Sequence, residues 1–395
     1  MQCVSTLIRP RGAHQKGGIE PLKAFPKRTL DGLPEPLPDR TSPPSCVLPA
    51  LVFLCANALF ALLLPAPLFA APAAAGGITV AAVGDIMMGS DYPSPRLPKN
   101  RGKALLAQAA PFFKAADITM ANLEGPLLEG GEPLKTPVEG KSYVFRTPPS
   151  YALNLKKAGI SMVSLANNHA LDFGRPGMVS TKRALKEAGV DFSSKGGEIA
   201  EFLVRGVRVG ILSLSFGAPP RSIVYPAEAL KEIAQVSRRY DILILSIHAG
   251  AEGRGALHVT PGMERFLNEP RGDLVRFSHD AIDRGAALVI AHGPHVPRAL
   301  ELYRGRLVAY SLGNFATYGG VSVVGESGYA PILTVQLAPD GSFVKGDIHS
   351  FVQKPSAAPS PDRKQRALHL MQRLTAEDFP ASGLSFNGKG EISVD

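Results

Sequence analysis

The sequence predicts an α/β fold whose parallel strands deliver polar side chains to one shared edge. Three observations predict it. Short apolar, β-branched runs alternate with helix-like stretches from residue 78 to residue 291, the rhythm of parallel strands joined by crossover helices. Five of those runs end directly in residues that bind metals well: Asp85, then Asn122 and Glu124, then Asn167, Asn168 and His169, then His248, then His292 and His295. After residue 297 the rhythm changes to strands separated by Gly-containing turns, which points to an antiparallel section.

The elements follow in order. ITVAAV (78–83) is a β-branched run closed by Gly84, and residues 104–116 have helical character before the short strand DITMA (117–121). Residues 151–158 read as a helix, followed by the strand ISMVSLA (160–166) and a helix over 178–188. VRVGILSLS (207–215) is a buried strand, 227–239 a helix, DILILSI (241–247) a strand, 273–285 a helix and ALVIA (287–291) a strand. RALELY, RLVAYSL, APILTVQLA and SFVKGDIHSF supply the later strands. The Pro/Ser-rich residues 354–364 read as a linker and 365–375 as a terminal helix. The organisation expected is a leader over 1–75, one domain over 76–350, and a linker and C-terminal tail over 351–395.

The 395 residues are 45% hydrophobic and 19% charged, a globular balance that argues against extensive disorder. Net charge is +9, but residues 1–75 hold seven Lys/Arg and four Asp/Glu, leaving 36 basic and 30 acidic residues beyond them. No Lys/Arg cluster follows a helix face, so a nucleic-acid partner is not expected. Cys3, Cys46 and Cys55 all precede residue 76, so a chain beginning there has neither thiol nor disulfide.

Residues 47–70, VLPALVFLCANALFALLLPAPLFA, are almost uncharged, follow a net basic stretch and run into APAAAGG. Basic, apolar and small-residue regions in that order read as a secretory signal, cleaved after Ala70 or Ala75. The run is also near the length that spans a bilayer. Pro49, Pro65 and Pro67 with the Ala-rich exit favour cleavage, so export to the periplasm or cell envelope is expected, with membrane attachment only through an uncleaved signal.

Carboxyl ends of parallel strands open into one crevice in open sheets and in TIM barrels alike, so the five strand exits define a site before they define a fold. Taken singly, Asp85 serves equally as a turn residue, Glu124 as a solvated turn acid, and His248 or His292 as a core histidine. Five coincidences are harder to explain that way. Carboxylates, an amide and imidazoles without thiolate suit Mn²⁺, Fe²⁺ or Zn²⁺, and two such ions can clamp a phosphoryl oxygen. A histidine beside the ions can protonate a leaving oxygen. His169 fits that role, with Asp172 three residues on to orient it.

VGDIMMG, ANLEGPL, SLANNHALDFG, SIHAGAE, AHGPHV and YSLGNF stand in the order and spacing of the CapA-type capsule and poly-γ-glutamate synthesis family, which the chain resembles over about residues 78–316. The resemblance implies a calcineurin-like metallophosphoesterase fold, a four-layer αββα sandwich with two mixed sheets. It implies metal binding by Asp85, Glu124, Asn168, His248, His292 and His295; two divalent ions there, with His169 and Asp172 read from the residues as catalytic, are expected to make a metal-dependent hydrolase. It also implies an anionic polymer or phosphoester substrate and envelope polymer-synthesis machinery as partner. A non-catalytic polymer-binding or export scaffold is the alternative. Two departures bear on this. Metallophosphatases generally begin Asp-x-His, where this chain has Met87, and many relatives carry His-His-Pro-His where it has His292-Gly293-Pro294-His295. Glu252 is a candidate to compensate, as a ligand or as an acceptor behind one, though its position also fits neither role. Residues 249–273, with Arg254, Arg265 and Arg271, form either an anion-binding lid or plain packing. Tyr310, Ser311 and Asn314 are expected to shape a turn at the rim.

Overall fold

The computed structural model describes residues 77–138 and 142–395. The signal segment and its cleavage points lie outside them. Among the described residues no helix is long and apolar enough to cross a membrane.

The chain first lays down β1 (Ile78–Met87), α1 (Ala110–Ala115), β2 (Ile118–Leu123), α2 (Ala152–Ala158), β3 (Met162–Ser164), α3 (Gly174–Ala188) and β4 (Asp191–Ser193). Strands β1 to β4 pair in parallel. It then crosses to a second sheet with β5 (Ala200–Val204), β6 (Val207–Ser215), α4 (Pro226–Val236) and β7 (Ile242–His248). A small hairpin, β8 (Glu264–Phe266) and β9 (Glu269–Gly272), interrupts before α5 (Leu274–Ile282), β10 (Leu288–His292), β11 (Leu300–Tyr303) and β12 (Arg306–Ala309). The chain returns to the first sheet through β13 (Asn314–Thr317), β14 (Tyr329–Leu337), β15 (Phe343–Val352) and β16 (Ser360–Pro361). It ends with α6 (Arg366–Asp378), β17 (Leu384–Phe386) and β18 (Glu391–Val394).

Both sheets are mixed. The first runs β17-β18-β15-β14-β1-β2-β3-β4, with β13 beside β1 and β16 beside β15; the second runs β11-β12-β10-β7-β6-β5. Period-two alternation explains how they stack. Ile78, Val80 and Ala82 of β1 share one core with Val209, Ile211, Ile242, Ile244, Leu288 and Ile290 of the second sheet, so that core lies between the sheets. Intervening residues face outward onto helices. Ala121 and Val163 pack with Phe113, Leu155 and Leu185, while Leu243, Leu245 and Val289 pack with Ile233, Phe277 and Ala281. The result is four layers, helices outside and two mixed sheets inside.

Several boundaries differ from expectation for local reasons. The helix expected from 104 begins only at Ala110, where Pro111 sits in its first turn. Helices α2 and α3 stop at Gly159 and Gly189, both in the left-handed region, the usual helix-ending role of glycine. Residues 351–395, expected from their Pro/Ser content as linker and tail, are built into the domain instead. Strand β15 continues through Val352, and β18 pairs with it. Helix α6 buries Leu368 and Met371 in the core between the sheets and Leu370 and Leu374 in the outer core. Its apolar positions recur every three or four residues, the signature of a packed helix.

Candidate metal centre

The strand ends of the two sheets meet. In the first sheet Asp85 lies in register with Asn122 of β2 and Asn314 of β13, beside irregularities in both pairings. Bulges re-aim side chains at such places. Gly84 permits the close approach, because a Cβ there would sit 1.9 Å from the Gly313 carbonyl oxygen. The Asp85 N–H donates to that same oxygen at 2.9 Å. In the second sheet His248 and His292 are direct partners at the ends of β7 and β10. Gly293, at φ +111, then turns the chain back, and His295 takes φ +57, a conformation uncommon for a non-glycine residue.

These elements bring Asp85, Glu124 and His248 together, with ligand atoms all within 4.8 Å of one another. His295 Nδ1 is 3.0 Å and His292 Nδ1 is 4.0 Å from the Asp85 carboxylate. All but His295 are fully buried. Their partners are few. Both Glu124 carboxylate oxygens, His248 Nε2 and both His292 ring nitrogens are buried without a hydrogen bond, at a cost of roughly 1–3 kcal/mol each. Three side chains that converge on Asp85 and leave their lone pairs unmatched fit a divalent cation, and the O/N donor set suits Mn²⁺, Fe²⁺ or Zn²⁺.

Without a cation, burial and mutual contact set the charges of these groups. Burial raises the Glu124 carboxyl well above its ordinary range and the Asp85 charge adds to it. Burial opposes ionisation of Asp85 too, but contact with His295 outweighs it and the pKa falls. Burial drives His248 well below its usual value and His292 to about 4, so both are neutral, the form that ligates metals. For His295 burial pulls downward, yet the Glu124 and Asp85 carboxylates prevail and raise it to about 10.

Asn168 is solvent-exposed; its neighbour Asn167 is the amide that turns inward. Asn167 Nδ2 donates to Asn122 Oδ1 at 3.0 Å, and Asn122 Nδ2 donates to Asp85 Oδ1 at 2.8 Å. Asn122 Nδ2 also lies 3.3 Å from His248 Nδ1. Asn167 Oδ1 accepts the His169 backbone N–H at 3.1 Å, so the two asparagines link the His169 turn to the cluster. Asn314, expected at the rim, is fully buried, and its Oδ1 lies 3.0 Å from His295 Nδ1.

His169 Nδ1 is 2.9 Å from Asp172 Oδ2. Asp172 is buried and also accepts the Phe145 backbone N–H at 2.8 Å. Lys135 Nζ stands 2.8 Å from its other oxygen. Burial lowers the His169 pKa despite the Asp172 partnership. Lys135 and Phe145 come from a connection without periodicity, and no sequence signal marks them.

Met87 is buried, and its Sδ accepts the Gly89 N–H at 3.3 Å. Glu252 pairs with buried Arg271 at 2.6 Å, whose guanidinium carbon lies 4.2 Å from the Phe216 ring centroid. Arg254 pairs with Glu326. The 249–273 connection is thus packed by ion pairs. Arg298, fully buried, donates to both Glu264 oxygens at 3.0 and 2.9 Å and to the Ala251 and Ala256 carbonyls. That ties the segment after His248 to the one carrying His292 and His295. Tyr310 donates to Glu301 at 2.6 Å, away from the cluster. His258 pairs with Asp378 and His279 with Glu301.

A family profile described as "Bacterial capsule synthesis protein PGA_cap" matches residues 79–318. The chain belongs to this family. The PGA_cap match runs from the second residue of β1 through β13 and includes every residue of the cluster. The "Capsule biosynthesis protein CapA" of Bacillus anthracis is 26% identical over 295 residues, 71% of this chain and 69% of that protein. The "PGA biosynthesis protein CapA" of Bacillus subtilis (strain 168) is 26% identical over 250 residues. There the alignment covers 59% of this chain and spans 61% of that protein, so part of the relative's length has no counterpart. Among solved structures, a calcineurin-like phosphoesterase of Bacillus subtilis aligns over 76% of this chain and 98% of its own, at 16% identity and a TM-score of 0.39.

Proposed function

We propose that this PGA_cap protein is exported, with residues 1–75 as leader, and acts in the synthesis of an anionic cell-surface polymer as a metal-dependent phosphoesterase-type hydrolase. The observation that carries the reading is the set of buried, unpartnered ligand atoms on Glu124, His248 and His292 facing Asp85. Asp85, Glu124, His248, His292 and His295 would hold the ions, and Asn168 would have to turn inward to join them. Divalent ions in such a cluster polarise a phosphoryl oxygen and lower the pKa of a water.

The protein's own residues supply the rest. With Nδ1 held by Asp172, Nε2 is the His169 atom that gives or takes a proton at the leaving oxygen. Lys135 balances the Asp172 charge, and Phe145 both anchors that carboxylate and lies 4.4 Å from the His169 ring.

The test is elemental analysis of the purified protein beside Asp85→Ala and His248→Ala, followed by hydrolysis of bis(p-nitrophenyl) phosphate by wild type and His169→Ala. The expected result is about two metal equivalents lost in both ligand variants, and a rate reduced roughly 10²–10⁴-fold without His169. Metal-loaded protein that hydrolyses no phosphoester or polyglutamate bond defeats the catalytic reading. One observation favours a second reading, a scaffold that holds the polymer without cutting it. Met87, buried and engaged by Gly89, stands where the metallophosphatase pattern has a histidine ligand.

A further inference from the structure

We infer that the cavity walled by Phe145, the ring that packs against His169, is a subsite for a sugar ring, so that the phosphoester acted on is a sugar phosphate; this rests on the metal-hydrolase reading above. The cavity measures about 530 Å³, and its walls include Tyr92, Arg96, Tyr143, Phe145 and Gly320. Phe145 joins it to the chemistry. Its ring is 4.4 Å from that of His169, and its N–H donates to the Asp172 carboxylate that also holds His169. One anchor therefore fixes both the cavity wall and the proton donor.

The walls have a defined chemistry. Tyr143 stacks on Phe145 at 16° and 6.4 Å, and remains 49% exposed. Tyr92 is fixed edge-on against Phe173 at 5.5 Å, with the Arg146 guanidinium 5.3 Å from its ring. Arg96 donates to the Gly319 carbonyl at 3.2 Å and meets no carboxylate among the described residues. Gly320 has no room for a side chain: a Cβ there would lie 2.3 Å from Met87 Cε and 2.9 Å from the Phe145 ring. Met87 therefore packs directly behind Gly320.

Flat aromatic faces pack against the C–H face of a pyranose, and a guanidinium with several donors matches its hydroxyl oxygens and any acidic substituent. Ser94 and Ser142, also in the lining, add hydroxyl partners. A γ-glutamyl chain offers the platform no ring. The walls therefore favour a phosphorylated sugar over polyglutamate.

The test is calorimetric titration of Mn²⁺-loaded protein carrying His169→Ala to slow turnover, with the wild-type cavity or with Tyr143→Ala or Arg96→Met added, against glucose 1-phosphate, inorganic phosphate and tri-γ-glutamate. Melting temperatures confirm that each variant is folded. Protein with the wild-type cavity should bind glucose 1-phosphate at least about ten-fold more tightly than inorganic phosphate, a difference of about 1.4 kcal/mol. That ratio should fall several-fold in each cavity variant. A ratio near one with the wild-type cavity, an unchanged ratio in both cavity variants, or tighter binding of tri-γ-glutamate overturns the subsite and leaves the metal reading standing. Protein that takes up neither metal nor phosphate overturns the metal reading, and the subsite with it.

Discussion

Replacing Glu124 by glutamine separates a metal ligand from a merely buried acid. In the metal-free protein burial and the Asp85 charge keep the Glu124 carboxyl protonated well above its ordinary range. An amide of the same shape therefore leaves metal-free stability almost unchanged. A cation reverses this, because it binds only the deprotonated carboxylate. At a free metal concentration of one hundred times Kd, binding stabilises the native state by about 2.7 kcal/mol. Unfolding entropy near 2.1 cal/mol/K per residue gives ~0.67 kcal/mol/K for a folded body of roughly 320 residues, so wild type should melt ~4 °C higher with metal. If Glu124→Gln weakens binding about a hundred-fold, its shift at the same concentration is below ~1 °C. Differential scanning fluorimetry with Mn²⁺, Fe²⁺ and Zn²⁺ reads both. The shift should also shrink as pH falls, because protons compete for Glu124. Equal shifts in wild type and variant, or none in wild type with any of the three ions, would refute the reasoning.

Other consequences are simpler to state. Gly84→Ala places a methyl 1.9 Å from the Gly313 carbonyl oxygen, with no flexible side chain to yield, so urea denaturation should show a loss of about 3 kcal/mol or more. Arg298→Met leaves the half-buried Glu264 with only the Ala251 N–H as partner and should cost about 2–3 kcal/mol by the same measurement. Glu198 is lowered to about 2: burial opposes its ionisation, but Lys182 and Ser194 outweigh it. Its stabilisation is present above the unfolded pKa near 4.5 and lost as pH falls toward 2, so Lys182→Met should flatten the stability profile across that window. Removing residues 366–395 uncovers the core that Leu368, Met371 and Leu374 help to close. The truncated chain should be recovered mainly as aggregate, judged by size-exclusion chromatography.

Much of this architecture is legible in sequence because burial and periodicity act locally. ILILSIH and LVIAH announce strands by composition, and the polar residue ending each is conspicuous against an apolar run. What periodicity cannot say is which of two adjacent asparagines turns inward. Asn167 does and Asn168 does not, because the chain bends just after β3. Lys135 and Phe145 reach the His169 turn from a connection whose course is set only by tertiary packing. Asn314 looks like part of a turn until β13 is seen to lie beside β1, a pairing across more than two hundred residues. The division into two sheets is equally non-local, since nothing in β4 or β5 marks the crossing between them. The tail misleads for another reason. Its Pro and Ser content suggests a linker, while the apolar stripe of α6 carries the contrary signal.

The position of β1 has a consequence for how the protein is made. The first strand of the domain lies between β2 and the late strands β13 and β14, and Asp85 meets His295 and Asn314 only across that junction. A nascent chain that has emerged through β7 already carries Asp85, Glu124 and His248, yet lacks the β13 and β14 neighbours that complete the setting of β1. Contacts of such sequence separation form slowly. Assembly of the centre is thus a late event in folding, and uptake of a metal ion by the refolding protein should follow, rather than precede, recovery of most of its secondary structure.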